Sequence, residues 1–201
     1  MNEVQVRPAA TVLLVDDRPD LQVFMMKRNQ NIQFAGGMWV FPGGAVDRSD
    51  DATTYQHYCT HRSDVEASEL LGVERGGLAY YVAAIREAFE EAGILLALHR
   101  ENEVALELLD DDIRVRFDSL RDGVNDGSVD FLDVVERENL ILDAGQIHYV
   151  GRWITPPGPP RRFDTRFFVA RMPARQDPIH DDSELVGSDW VSPRQVIERA
   201  A

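Results

Sequence analysis

Three carboxylates within five residues are the first chemistry this chain offers. Glu87, Glu90 and Glu91 lie in Ala83-Ala84-Ile85-Arg86-Glu87-Ala88-Phe89-Glu90-Glu91-Ala92-Gly93-Ile94. Alanines, short polar runs and the absence of proline favour a helix there. Gly93 supplies a residue able to take the left-handed conformation that ends one. Ile85, Ala88, Phe89 and Ala92 recur at helical spacing and form one apolar stripe. At about 100° per residue the three glutamates fall on the other side, one turn apart. Like charges three and four positions apart repel, and only Arg86, four before Glu90, offsets this along the helix. An acidic stripe opposite an apolar one is, taken alone, an ordinary solvated face. A hard divalent cation held among the carboxylates is the alternative.

The elements that must position such a site begin with Met38-Trp39-Val40-Phe41-Pro42-Gly43-Gly44, a strand-like run ending in a glycine turn. Without a Cβ, that turn lets backbone approach a ligand or metal closely. Together the two stretches spell a pyrophosphate-and-metal site. Upstream, Ala10–Val15 and Leu21–Arg28 flank Asp16-Asp17-Arg18-Pro19-Asp20 and read as a hairpin. Lys27 and Arg28 end its second strand, solvated unless Arg28 reaches a substrate phosphate.

Residues 47–77 are polar, with a helix expected from Asp64 to Leu71. His57, Cys59 and His61 alternate there, but zinc takes about four ligands and no matching Cys/His pair follows. A partly exposed loop or helix is the reading for them. Ile94–Leu98 reads as a strand or helix extension, and Glu103–Leu120 and Val129–Leu140 as helices, with Asp122-Gly123 and Asp126-Gly127 punctuating between them. Asp110, Asp111 and Asp112 read as solvated surface. Ile147–Thr155 reads as a strand, Pro156-Pro157-Gly158-Pro159-Pro160 as a stiff turn, and Arg161–Val169 as an alternating strand. Arg161 and Arg162 are candidates for bidentate phosphate contacts. Arg166 is another, with a salt bridge to nearby Asp164 as its other reading. Ser192-Pro193-Arg194-Gln195 opens a final helix with a capping box.

Composition narrows the partners. With 201 residues and 44% hydrophobic content, residues 1–201 are read as one domain with one core. A formal charge of −14 argues against nucleic acid or an anionic membrane. A single cysteine, Cys59, excludes an intrachain disulfide and fits a reducing compartment. No apolar signal core opens the chain and no run reaches membrane-spanning length, so the expected location is cytoplasmic.

Phe41-Pro42-Gly43-Gly44 followed by Arg86-Glu87-Ala88-Phe89-Glu90-Glu91-Ala92-Gly93-Ile94 resembles the two halves of the Nudix box, in the family's order. Trp39–Gly44, Ala84–Leu96 and Arg161–Val169 resemble the Nudix branch that includes the peroxisomal coenzyme A diphosphatases, where an insertion also splits the box. One position departs from the pattern. The family places a glutamate at fixed spacing between the halves; counting on from Gly44 reaches Asp50, and counting back from Arg86 reaches Leu78. Asp47, Asp50 or Asp51 is left to support Arg86 in its place. The resemblance implies an α/β Nudix fold, a mixed sheet sandwiched between helices with helical insertions, the one at 47–77 shaping the substrate pocket or a dimer contact. It implies Mg2+ or Mn2+ bound by Glu87, Glu90 and Glu91, with a carbonyl from Gly43 or Gly44, and structural roles for Arg86, Gly43 and Gly93. Glu184 resembles the family's loop glutamate, with Asp182 second to it; the general base is left between Glu90 and Glu184. The implied activity is hydrolysis of a diphosphate linkage in a nucleoside diphosphate joined to another group, coenzyme A or acyl-coenzyme A first, ADP-ribose or a nucleotide sugar second. In the first case Arg161 and Arg162 would hold a 3′-phosphate. A Nudix-fold module that binds a nucleotide without cleaving it is the reading from another class. Many relatives are dimers, which leaves a homodimer open.

Overall fold

Asp16 to Asp20 turns the chain back on itself, so β1 (Val6–Asp17) and β2 (Leu21–Arg28) pair antiparallel with Val15 opposite Val23. The structure, a computed structural model, describes residues 4–30, 37–179 and 185–200. The two strands diverge beyond Val15, and the glycine stretch fills the gap. There β3 (Trp39–Val40) pairs with β2 and β4 (Gly43–Ala45) pairs with β1. The two glycines expected in a turn therefore lie in a short strand. A Cβ at Gly43 would overlap Thr11 and the Ala10 carbonyl, so only glycine lets the strand lie this close.

After β4 come a 3-10 turn (Arg48–Asp50), α1 (Ala52–Tyr55), β5 (Cys59–Thr60) and α2 (Asp64–Leu71). The α2 helix has the bounds the sequence predicts, because Ser63 and Glu66 close a capping box and Gly72 ends it in the left-handed conformation. α3 (Gly77–Ala92) follows, then β6 (Ala97–His99), α4 (Asp111–Asn125), α5 (Phe131–Arg137) and β7 (Leu140–Asp143). β8 (Ile147–Ile154), β9 (Arg162–Arg171), β10 (Leu185–Val191) and α6 (Pro193–Ala200) complete the chain.

The main sheet has the order β10-β2-β1-β9-β8, with β3 and β4 attached to β2 and β1. β9 runs parallel to β1 from Val6 opposite Arg162 to Val15 opposite Arg171; the other pairings are antiparallel. Side-chain alternation gives it two faces. Ala10, Val12, Leu14, Phe24, Met26, Phe168 and Ala170 are buried in the larger core with Leu78, Val82, Ile85 and Phe89 of α3. Val23, Met25 and Val191 form a smaller cluster with Val196 of α6. The sheet thus lies between helices, as the α/β reading expects.

Three local readings are corrected. Glu103–Asp110 is not helical: Leu106 N–H bonds the Ala97 carbonyl and Leu108 N–H the Arg175 carbonyl, and α4 starts only where Asp110 caps the amides of Asp112 and Ile113. Asp122-Gly123 does not interrupt α4, since Gly123 packs against Val129 inside it; Gly127, at φ +76°, follows its end. Cys59 is neither loop nor helix. It enters β5, which joins the small sheet β5-β7-β6, while His61 turns away in the left-handed region and bonds Asp143. Among the described residues, no helix is long and apolar enough to cross a membrane.

Candidate active site

Arg86 is the centre of the site. Its α3 position points it away from the apolar stripe toward β4 and the 3-10 turn. Nε and Nη2 donate to the two carboxylate oxygens of Asp50 at 2.9 and 3.0 Å. Nη2 also donates to the Ala45 carbonyl at 2.9 Å. Nη1 donates to Glu87 at 2.9 Å and to both Glu90 oxygens at 3.1 Å. Of the three aspartates left open, Asp50 takes the bidentate place, and it is 1% exposed. Asp47 stands 3.7 Å from Arg86, while its own amide donates to Asp50. Asp51 instead caps α1 through Thr54. Burial alone would pull the guanidinium down; the bonds to Asp50, with Glu87 and Glu90, reverse this and hold it above its ordinary value.

The glutamates differ in environment. Glu87 is buried, and a Cβ on Gly44 would overlap its carboxylate. Burial, then the charges of Glu91 and Glu90, outweigh Arg86 and push its carboxyl from 4.5 up to about 8. Glu90 is also raised, by burial first, against the pull of Arg86. Glu91 points the other way: the Gly43 amide donates to its Oε2 at 2.9 Å, and Arg28 stands 3.7 Å from its Oε1. Gly93, at φ +67°, donates its amide to the Ala88 and Phe89 carbonyls and ends α3.

Glu91 and Arg28 border a cleft of about 310 Å³. Its other walls are Thr11, Trp39, Val40, Phe41, Gly43 and Phe167. The aromatic lining escaped sequence reading, although Trp39 and Phe41 alternate just before the glycines.

Of the four arginines proposed for substrate, the structure brings only Arg28 to this cleft. Arg166 is buried, with Nη1 donating to Asp164 at 2.5 Å and its guanidinium over the Tyr80 ring. Arg162 donates from Nε to the Thr155 carbonyl and pairs with Val6, four residues along β1 from Ala10, which faces Gly44. At about 3.3 Å per residue that is roughly 13 Å beyond the glycines. Arg161 is exposed just before that strand. Glu184 and Asp182 lie outside the described residues.

Fit to a divalent cation follows from donor chemistry. Glu87, Glu90 and Glu91 are hard oxygen donors of the kind Mg2+ and Mn2+ take. With Asp50 they outnumber Arg86 and Arg28, and the bare Cα of Gly44 keeps the backbone against Glu87. Among the described residues no three carboxylates yet converge on one point. Arg86 draws Glu87 and Glu90 one way while Gly43 and Arg28 draw Glu91 the other.

Comparison with known proteins places the chain in a family. The family model described as the NUDT19 Nudix domain matches residues 58–200. The chain therefore belongs to the NUDT19 Nudix domain family. Phe41–Gly44 and Asp50 lie before the matched stretch. The chain is 26% identical to an acyl-coenzyme A diphosphatase NUDT19 from Xenopus laevis, over 89% of this chain and 54% of that protein. It is 27% identical to the human protein of that name, over 88% and 55%. The chain spans about half the length of these curated relatives. The crystal structure of a Nudix hydrolase from Alicyclobacillus acidocaldarius is similar at a TM-score of 0.72 and 26% identity, covering 98% of this chain and 83% of that one.

Two predictions follow from the network. Asp50→Ala removes the bidentate partner of a buried guanidinium and leaves it Glu87, Glu90 and the Ala45 carbonyl, so it should cost up to about 3 kcal/mol and lower Tm by roughly 6–12 °C. Arg86→Met combined with Asp50→Leu should recover most of that loss, whereas an equal loss in single and double variants would mean that the pair is not the source. The second concerns pH. The Glu87 carboxyl is raised on folding, so its contribution is complete below 4.5 and is lost as pH rises through about 8. In EDTA, Tm should decline across that window, and Glu87→Gln should flatten the decline.

Proposed function

We propose that this chain is a Nudix pyrophosphohydrolase cleaving the diphosphate linkage of a nucleoside diphosphate joined to another group. The observation that carries this reading is the placement of Glu91 and Arg28 at one cleft, with Glu87, Glu90 and Arg86 on the adjoining turn of the same helix. Glu87, Glu90 and Glu91 would hold Mg2+ or Mn2+. When bound, the ion orients and acidifies a water and offsets the charge on the phosphates. Arg86 holds the Glu87 and Glu90 carboxylates in place from behind, and Asp50 fixes Arg86. Arg28 presents a guanidinium suited to a phosphate oxygen. Glu90 or Glu184 would accept the proton of the water. Trp39, Phe41 and Phe167 offer flat apolar walls for the organic part of the substrate.

Coenzyme A or an acyl-coenzyme A is the substrate we favour, supported by the names of the relatives in the same family. Arg161 and Arg162, which would have favoured it as a 3′-phosphate pocket, do not line the cleft, so the preference rests on those names. ADP-ribose or a nucleotide sugar satisfies the same box and is the second reading. A nucleotide-binding module without turnover is less well supported, because such relatives lose box carboxylates and this chain keeps Glu87, Glu90 and Glu91.

The test is product identification by mass spectrometry with Mg2+ or Mn2+. Phosphopantetheine released fastest supports coenzyme A; ribose 5-phosphate or a sugar phosphate moves the specificity; binding without product favours the module. Glu91→Gln should lower kcat by at least about 100-fold with the melting curve kept, since even the outer partners of a metal ligand are worth 10–100-fold. Normal turnover by that folded variant would overturn the mechanism. Trp39→Ala should raise KM about tenfold with kcat little changed, as expected for a lost stacking contact.

A further inference from the structure

A second cavity, of about 80 Å³, lies at the C-terminal end of α3, beyond Gly93. Its inner wall is Phe89, Leu108, Phe117 and Ile179, with Arg121 of α4. Arg121 is 8% exposed, and its Nε and Nη1 are buried with no hydrogen-bond partner among the described residues. Among the described residues it makes no ion pair within 4.0 Å, in contrast to Arg114 and Arg116 of the same helix. Arg121 reaches the helix end, its Nη1 3.5 Å from the place a Gly93 Cβ would take. The partial negative charge of a helix C-terminus offsets about half a unit, which leaves the cation without a full direct partner among the described residues.

What compensates it is restricted by the remaining lining. Asp118 is half-buried at the opening and Asp177 is exposed there. Arg114, also at the opening, is already paired with Asp111 at 2.8 Å. Two carboxylates at the opening oppose a dianion more than a monoanion. The inner wall is apolar and aromatic, so a ligand with a short hydrocarbon tail gains more than a bare ion. We propose that this cavity binds a small monocarboxylic acid, its carboxylate bidentate on Arg121 and its tail against Phe89, Phe117 and Leu108. The site is separate from the glutamate cleft, and the proposal does not depend on the hydrolase reading.

The experiment is a thermal-shift titration of the whole protein in EDTA at constant ionic strength, with butyrate and inorganic phosphate as probes. Butyrate should raise Tm saturably, by on the order of 3 °C at tenfold excess over its dissociation constant, and phosphate by less. Arg121→Met should fold and lose the butyrate shift; Arg121→Lys should weaken it, because the fork is gone; Arg114→Ala should keep it. An equal shift in Arg121→Met, a larger response to phosphate, or no saturable shift in the wild type would overturn the proposal. If Arg121→Met fails to fold, a crystal of the wild type soaked in 4-bromobutyrate decides the matter: bromine beside Phe89 and Phe117 supports the site, and its absence there overturns it.

Discussion

The contact between Arg86 and Asp50 is the constraint on which the rest depends. One guanidinium gathers the 3-10 turn through Asp50, β4 through the Ala45 carbonyl, and two turns of α3 through Glu87 and Glu90. A buried ion pair is a weak source of net stability, because desolvation of both charges offsets their attraction. Its effect here is placement. A hydrophobic pair of equal volume would pack the helix on the strand equally well, but would leave the glutamate carboxylates free to choose other rotamers.

That constraint explains why β4 consists of glycine and alanine. Arg86 brings the helix down until Glu87 rests on Gly44, while Gly43 rests on β1. Any side chain at either position would lift one layer off the other. The Gly43 amide donates to Glu91 at 2.9 Å and holds it apart from the two carboxylates that Arg86 bonds. The division of three glutamates into a pair and a single thus follows from backbone geometry more than from the helix on which all three lie.

Local signals carried much of this. The periodicity of Ile85, Ala88, Phe89 and Ala92, the turn at Asp16–Asp20 and the Ser63–Glu66 capping box each specify an element within a few residues, and each was legible. Asp50 was one of three open candidates, because an insertion separates it from Arg86 and only the 3-10 turn decides which aspartate faces inward. Residues 103–110 misled for the opposite reason. Leu106 and Leu108 alternate, and their backbone bonds go to Ala97 and Arg175, partners outside the segment itself. The arginines of β9 looked like one basic cluster in sequence, yet strand alternation and the Asp164 pair put Arg166 under Tyr80 and leave Arg161 exposed. Clustering along a chain says little about clustering in space when the period is two.

The electrostatics of the cleft reconcile an acidic protein with the anionic substrate proposed for it. Asp50, Glu87, Glu90 and Glu91 face two arginines, and Asp50 uses up most of one. Burial first, and then the neighbouring charges of Glu91 and Glu90, raise the Glu87 carboxyl to about 8 against the pull of Arg86. A diphosphate would add further negative charge. The arrangement therefore favours substrate and divalent cation together over substrate alone, since the cation neutralises both sets of oxygens at once. Long-range attraction cannot help, because a net charge of −14 repels the ligand at distance and is screened within about 10 Å at ordinary salt. Recognition on this reading is short-range: Arg28 and the bound ion for the phosphates, and the aromatic walls of the cleft for the rest.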